Sequence, residues 1–187
     1  MKFLQSFLKQ NQAYLQNPSD FCARHPYPFL LTVQEEEEED TPAKEEDFET
    51  EFLEELAAIK FETDKIKLED ILTLKNTSED VCVIPLKKKD SPTQMQMITL
   101  GRTANNDIHL PFKGISKLHA YFKIHNLQTT ITDADSTNGT FVNGKKLKSS
   151  QATLLKDRDI LSFAKLFHFF YFSPSALYHY FREKQIL

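Results

Sequence analysis

Apolar residues recur along this chain at two different intervals, and the change from one to the other divides it. Phe3, Leu4, Phe7, Leu8, Tyr14 and Leu15 follow three- and four-residue steps, which predicts an amphipathic first helix ending before Asn17-Pro18. Phe48, Phe52, Leu53, Leu56 and Ala57 repeat that spacing and predict a short helix within residues 45–60. The stretch Lys65 to Lys75 fits two readings. Ile66, Leu68, Ile71 and Leu72 suit a helix, whereas Ile71, Leu72 and Leu74 before the turn-forming Asn76-Thr77-Ser78 suit the end of a strand.

From Val81 onward the interval shortens. Residues 81–86, 97–100, 120–124 and 129–132 are short runs rich in β-branched or aromatic side chains, separated by turn formers, and predict strands. Thr140-Phe141-Val142, Asn143-Gly144 and Lys145-Lys146-Leu147 read as a hairpin, because Asn-Gly accepts the two positive φ angles of a type I′ turn. Residues 159–163 and 167–172 supply closing strands, and Ser173-Pro174-Ser175 caps a final helix running from Ala176 to about Lys184. Repeated short strands imply a sandwich. The expected organisation is an N-terminal extension over 1–78, a β-domain over 79–175 and a C-terminal helix over 176–187.

Charge divides the chain in the same place. Residues 1–76 carry 18 acids and 8 bases, whereas residues 77–187 carry 9 acids and 15 bases, so a net charge of -4 conceals halves of -10 and +6. The acids cluster in Glu35 to Asp40 and around Glu45, Glu46, Asp47 and Glu49, the composition of a solvated linker. All four glycines, Gly101, Gly114, Gly139 and Gly144, fall in the basic half, so tight loops concentrate there.

Those loops hold the candidate chemistry. Gly101-Arg102, Ser116-Lys117-Leu118-His119, Asp135 to Thr140 and Asn143-Gly144 are spread over some forty positions, too wide for one turn but suited to loops converging at one end of a sandwich. An arginine, hydroxyls and an amide brought together in this way can close around one anion. The order and spacing of the Gly-Arg, Ser-x-x-His and Ser-Thr-Asn-Gly-Thr motifs resemble the forkhead-associated (FHA) domain, a module that binds phosphothreonine peptides. The resemblance runs from about Val81 to Ser173. It implies a mainly β fold: an FHA-type antiparallel β-sandwich with an N-terminal helical and acidic extension and a short C-terminal helix.

The resemblance also implies roles. Arg102 would give the phosphate a two-pronged donor and Ser116 a hydroxyl, with Lys117 either adding a point charge or facing solvent. Thr137 would lie near the phosphate, and the Asn138 amide would bond the peptide backbone. Gly101, His119, Gly139, Asn143 and Gly144 would give structural support, as would the Asn105-Asn106-Asp107-Ile108 turn and the acidic lead-in Asp133-Ala134-Asp135. Many family members have glycine where Ala164 stands, which puts the geometry of that turn in question. The partners implied are phosphothreonine-containing substrates of Ser/Thr kinases. Thr41 and Thr50, tethered in the acidic segment, are candidate internal ligands once phosphorylated.

Other chemistries find less support. Gly139 to Lys146 follows the P-loop spacing, but Lys146 stands where serine or threonine should meet magnesium, and a hairpin replaces the required strand-to-helix junction. Cys22-x-x-His25 has no second ligand pair, and Cys22 and Cys82 suit a reducing compartment rather than a disulfide framework. Ile160 to Phe172 is interrupted by Lys165 and His168 and is too short to span a bilayer. The expectation is a cytoplasmic binding protein, not an enzyme, with no cofactor, metal, membrane or nucleic-acid partner. The rival readings are a degenerate FHA scaffold for assembly, and nucleic-acid binding through Lys87-Lys88-Lys89 and Lys145, Lys146 and Lys148.

Overall fold

The alternation of side chains along three strands organises the molecule, because those strands feed two separate apolar cores from opposite faces of one sheet. The computed structural model describes residues 2–32, 81–89, 97–184 and 186. In chain order the elements are β1 (Lys2–Phe3), α1 (Leu4–Asn11), a 3-10 turn (Gln12–Tyr14), α2 (Pro18–Arg24), β2 (Phe29–Thr32), β3 (Cys82–Pro85), β4 (Met97–Gly101) and β5 (Ile108–His109). There follow β6 (Ala120–His125), β7 (Gln128–Asp133), β8 (Thr140–Val142), β9 (Lys145–Lys146), β10 (Thr153–Leu154), β11 (Ile160–Phe163), β12 (Phe167–Phe172) and α3 (Pro174–Glu183).

One sheet has the order β1-β3-β2-β12-β11-β8-β9 and the other β10-β7-β6-β4-β5. The fold is the expected mainly β sandwich, with one departure from an antiparallel pattern: β4 and β5 pair in parallel, Leu100 beside Ile108. Between the sheets, Leu30, Ile84, Leu100, Phe122, Ile131, Leu161, Phe163, Phe169 and Tyr171 belong to the sandwich core. On the outer face of the first sheet, Phe29, Leu31, Val83 and Phe172 join Leu4, Phe7 and Phe21 from the N-terminal segment and Leu177, Tyr178 and Phe181 from α3. Successive residues of a strand point to opposite faces, so Phe29 and Leu31 enter the helix-covered core while Leu30 enters the sandwich. A strand covered on both faces reads as a continuous apolar run.

This arrangement corrects the domain boundary expected at residue 78. Residues 1–33 and 79–187 form one compact unit. Strand β2 lies between β3 and β12, with Leu30 opposite both Ile84 and Tyr171, so the N-terminal residues are an inner part of the sheet and not an extension to it. The first helix is also shorter than expected, giving way to the 3-10 turn after Asn11. Asn17-Pro18 both ends that segment and starts α2, since the Asn17 side chain accepts the Ser19 N–H at 2.9 Å and Pro18 occupies the first helical position. The acidic run, the helix expected within 45–60, the stretch 65–75 and the candidate internal ligands Thr41 and Thr50 lie outside the described residues.

The final helix begins two residues earlier than expected, at Pro174, with the Ser173 hydroxyl accepting the Ala176 N–H. Asp157 fixes this cap by receiving the Ser173 hydroxyl at 2.9 Å. Asn143 and Gly144 have φ of 50° and 75°, as the hairpin pattern predicts, and the Asn143 side chain ties the turn to Asp159 and the Ile160 N–H, each at 2.8 Å. At the β11–β12 turn Ala164 and Lys165 take φ of 57° and 55°, so the chain makes this turn without glycine. Among the described residues no helix is long and apolar enough to cross a membrane.

Candidate functional site

Three loops leave the strands at one end of the sandwich, and buried polar side chains hold them together. The first follows β4, where Gly101 allows close approach: a Cβ there would lie 2.3 Å from the Lys117 carbonyl oxygen. Arg102 N–H then donates to the Ser116 carbonyl at 2.9 Å, joining the first loop to the second. Asn106, only 4 % exposed, donates through Nδ2 to the Lys117 carbonyl at 2.7 Å and to Thr103, so it bridges the same two loops.

His119 joins the second loop to the third. Its Nδ1 accepts the Ser116 N–H at 3.1 Å, which leaves Nε2 as the protonated nitrogen donating to the Gly139 carbonyl at 3.1 Å. The ring is therefore neutral. Burial pushes its pKa below the usual histidine value, outweighing the opposing effects of the Gly139 carbonyl and the Asp133 charge. Behind it, Asp133 accepts the Ser136 hydroxyl and the Thr140 hydroxyl, both at 2.6 Å, and the Ser136 N–H at 3.0 Å. Burial raises the Asp133 pKa, but those bonds and the nearby histidine lower it further, so the carboxyl stays below its usual range. Ser136 in turn accepts the Gly139 N–H at 3.0 Å and closes the loop.

The exposed residues of these loops line one open cleft of about 390 Å³, bounded by Arg102, Lys113, Ser116, Lys117, Thr137 and Asn138 together with Gly114, Ile115 and Leu118. All five residues singled out for ligand contact therefore meet in one place. Ser116 Oγ accepts the Thr137 N–H at 3.0 Å and lies 3.4 Å from the Thr137 hydroxyl. Asn138 Nδ2 donates to the Gly114 carbonyl at 2.9 Å, which orients its amide across the cleft. Arg102 and Lys117 are exposed, and neither side chain forms an ion pair with any described residue. Their charges face solvent at the rim.

A larger depression of about 550 Å³ lies elsewhere, lined by Lys87, Lys88, Lys89, Asp107, His109 and neighbouring strand residues. Two of its lysines are committed to the fold. Lys88 Nζ donates to the Met97 carbonyl at 3.0 Å and pairs with Asp107 at 3.4 Å, while Lys89 Nζ donates to the carbonyls of Ala104 and Asn106. Asp107 also accepts N–H groups of Thr99 and Lys89, so the turn around it is a structural knot. The other candidates from sequence are equally placed. His25 is buried with Nε2 2.8 Å from Asn11 Oδ1, and no group of potential metal ligands occurs among the described residues. Gly139 to Lys146 runs through the β8–β9 hairpin and does not join a strand to a helix.

The sandwich thus brings a cationic and hydroxyl-lined cleft to the loops at one end. The FHA domain family model matches residues 98–164, the stretch that holds the loops from Arg102 to Asn138. Similar solved structures include an FHA domain studied for phosphothreonine-dependent interactions, 22% identical over 51% of this chain and 86% of its own, with a TM-score of 0.42. Mycobacterium tuberculosis EmbR in complex with a low-affinity phosphopeptide is 26% identical over 50% of this chain and 22% of its own, at 0.40. The FHA domain of the CT664 protein from Chlamydia trachomatis is 21% identical over 52% and 90%, at 0.43. No curated protein matches the sequence.

Proposed function

We propose that this protein is a phosphothreonine-dependent interaction module in Ser/Thr kinase signalling, which binds phosphopeptides without catalysis. The observation that carries the reading is the meeting of Arg102, Ser116, Lys117, Thr137 and Asn138 in one cleft, with two cationic side chains that no described acid neutralises. A phosphothreonine brings close to two negative charges and three acceptor oxygens, which call for held donors. Arg102 supplies a planar fork, Lys117 a point charge and Ser116 a hydroxyl proton. The Thr137 N–H holds that hydroxyl oxygen in place before ligand arrives. Asn138 keeps Oδ1 and the second Nδ2 proton for the peptide backbone, since its described bond uses the other proton.

Calorimetric titration with a degenerate phosphothreonine library tests the reading, with unphosphorylated and phosphoserine libraries and an Arg102→Ala variant alongside. Binding that requires both the phosphate and Arg102 is expected, with a loss of at least tenfold in the variant. Equal binding by the unphosphorylated library, or none by any library, would leave the fold as a scaffold. A steep salt dependence with nucleic acid, indifferent to Arg102, would favour the nucleic-acid reading.

A further inference from the structure

Arg102 lines the cleft, yet its backbone is held from outside it. The Arg102 N–H donates to the Ser116 carbonyl at 2.9 Å, and the Arg102 carbonyl accepts from His109 Nε2 at 3.0 Å. A carbonyl has no proton to give, so Nε2 is a protonated nitrogen of that ring. His109 belongs to β5, whose parallel pairing with β4 sets it beside Gly101. The Leu110 N–H donates to the Gly101 carbonyl at 3.0 Å. The β5 segment therefore holds Gly101 through its backbone and the next residue, Arg102, through a side chain.

His109 is exposed and lines the larger depression with Lys87, Lys88, Lys89 and Asp107, none of which lines the cleft. One bond, from His109 to Arg102, joins a wall of that depression to the rim of the cleft. The rest of the loop after Arg102 has other holds. Lys89 Nζ donates to the Ala104 and Asn106 carbonyls, while the Thr103 hydroxyl and the Asn106 amide donate to the Lys117 carbonyl. The Arg102 guanidinium forms no ion pair with a described residue, so the backbone sets the point and direction from which the fork starts.

We propose that His109 is a positioning residue for phosphate capture, which fixes the Arg102 backbone so that the guanidinium starts from one place at the cleft rim. The proposal rests on the phosphothreonine reading of the cleft. A planar two-pronged donor gains from a fixed start, because each N–H must meet its oxygen within a narrow range of angles. With the carbonyl released, the fork has to be ordered at the moment of binding, which lowers affinity by about two- to tenfold. Folding loses little. The ring belongs to neither apolar core, and water can take the place of Nε2 at the carbonyl without tying the loop to β5.

The test compares His109→Leu and His109→Gln with the wild type on the full chain, since glutamine can place an amide N–H where Nε2 stands and leucine cannot. Affinity is read by fluorescence anisotropy with a labelled degenerate phosphothreonine library, the mobility of the Arg102 amide by NMR relaxation, and folding by the urea midpoint. His109→Leu is expected to weaken binding by about two- to tenfold and to loosen the Arg102 amide at an unchanged midpoint. His109→Gln should restore both. Equal affinity in all three proteins, or a loss that glutamine does not recover, would overturn this inference and leave the reading of the cleft standing. A loss matched by a lower midpoint would make His109 a merely structural residue and overturn it as well. Failure of the library to bind the wild type would overturn the inference together with the reading of the cleft.

Discussion

His119 Nε2 donates to the Gly139 carbonyl at 3.1 Å, and that bond fixes the protonation state of a residue that never reaches the cleft surface. The opposite nitrogen accepts from Ser116 N–H, so one neutral ring spans the loops that carry Ser116 and Asn138. Replacing His119 with alanine leaves a buried donor and a buried acceptor unmatched, at about 1–3 kcal/mol each. Urea unfolding of His119→Ala should show a loss of roughly 3 kcal/mol, with weaker phosphopeptide binding. An unchanged midpoint would mean that the loops are held by other contacts.

Acid should weaken the protein in two stages. The folded state takes up a proton at His119 less readily than the unfolded chain, so stability is fully present above the ordinary histidine value of 6.5 and declines as the pH falls below it. Asp133 and Asp107 are held below the usual carboxylate value of 3.8, so their contribution is present above that value and lost as the pH drops further. Unfolding free energies measured from pH 8 to pH 3 (a range of roughly this width spans both stages) should fall more steeply between about pH 6.5 and 5 in the wild type than in His119→Gln. Parallel curves would remove His119 from the account.

Gly101 and Gly144 should respond differently to alanine. At Gly101 the new methyl meets the Lys117 backbone at 2.3 Å, so the first and second loops must separate and Arg102 moves with them. At Gly144 no atom lies within 4 Å, and only the φ of 75° opposes a side chain, at about 1–2 kcal/mol. Gly101→Ala should therefore lose both stability and phosphopeptide affinity, while Gly144→Ala loses stability with affinity retained. Titration of both variants at a temperature where each is folded would separate the two effects.

Leu127 is 97 % exposed at the tip of the β6–β7 hairpin with a φ of 62°, after Asn126 at 49°. Leucine gains nothing from burial here and bears the left-handed strain that glycine avoids. Leu127→Gly should stabilise the protein by about 1 kcal/mol, or roughly 3 °C in Tm, less the extra entropy of glycine in the unfolded chain. Differential scanning calorimetry would show it, and a lower Tm would count against the turn geometry.

Phe29 is fully buried in a strand flanked by β3 and β12. Phe29→Ala should cost about 3–5 kcal/mol by denaturant unfolding. A fragment starting at residue 79 would lack β2 and half of the helix-covered core, and should not unfold cooperatively. A sharp transition in that fragment would restore the boundary first read from the sequence.

Local pattern was enough to locate most of the strands from β3 onward, because short β-branched and aromatic runs punctuated by turn formers carry their own signal. The Asn143-Gly144 hairpin and the Ser173 cap were legible for the same reason: each needs particular residue types within a few positions. The ordered motifs around Arg102, Ser116 and Asn138 pointed to one site through their resemblance to a known family. Strand β2 was not legible. Phe29 to Thr32 is a four-residue apolar run, and it becomes a strand through partners that lie some fifty and some one hundred and forty positions away.

The contact of Lys146 with Gly139 escaped for a related reason, since nothing near it in sequence shows that its stem will lie over that glycine. By itself, then, the sequence determined the β-rich class, the turns and the set of residues available to bind a phosphate. Tertiary structure decided that β2 lies inside the first sheet while the N-terminal helices cover its outer face, that His119 is neutral, and that Arg102, Ser116, Lys117, Thr137 and Asn138 line one cleft. The difference is physical. Turn and strand preferences act between near neighbours, whereas strand insertion, burial and the placing of charge depend on groups that only the folded chain brings together.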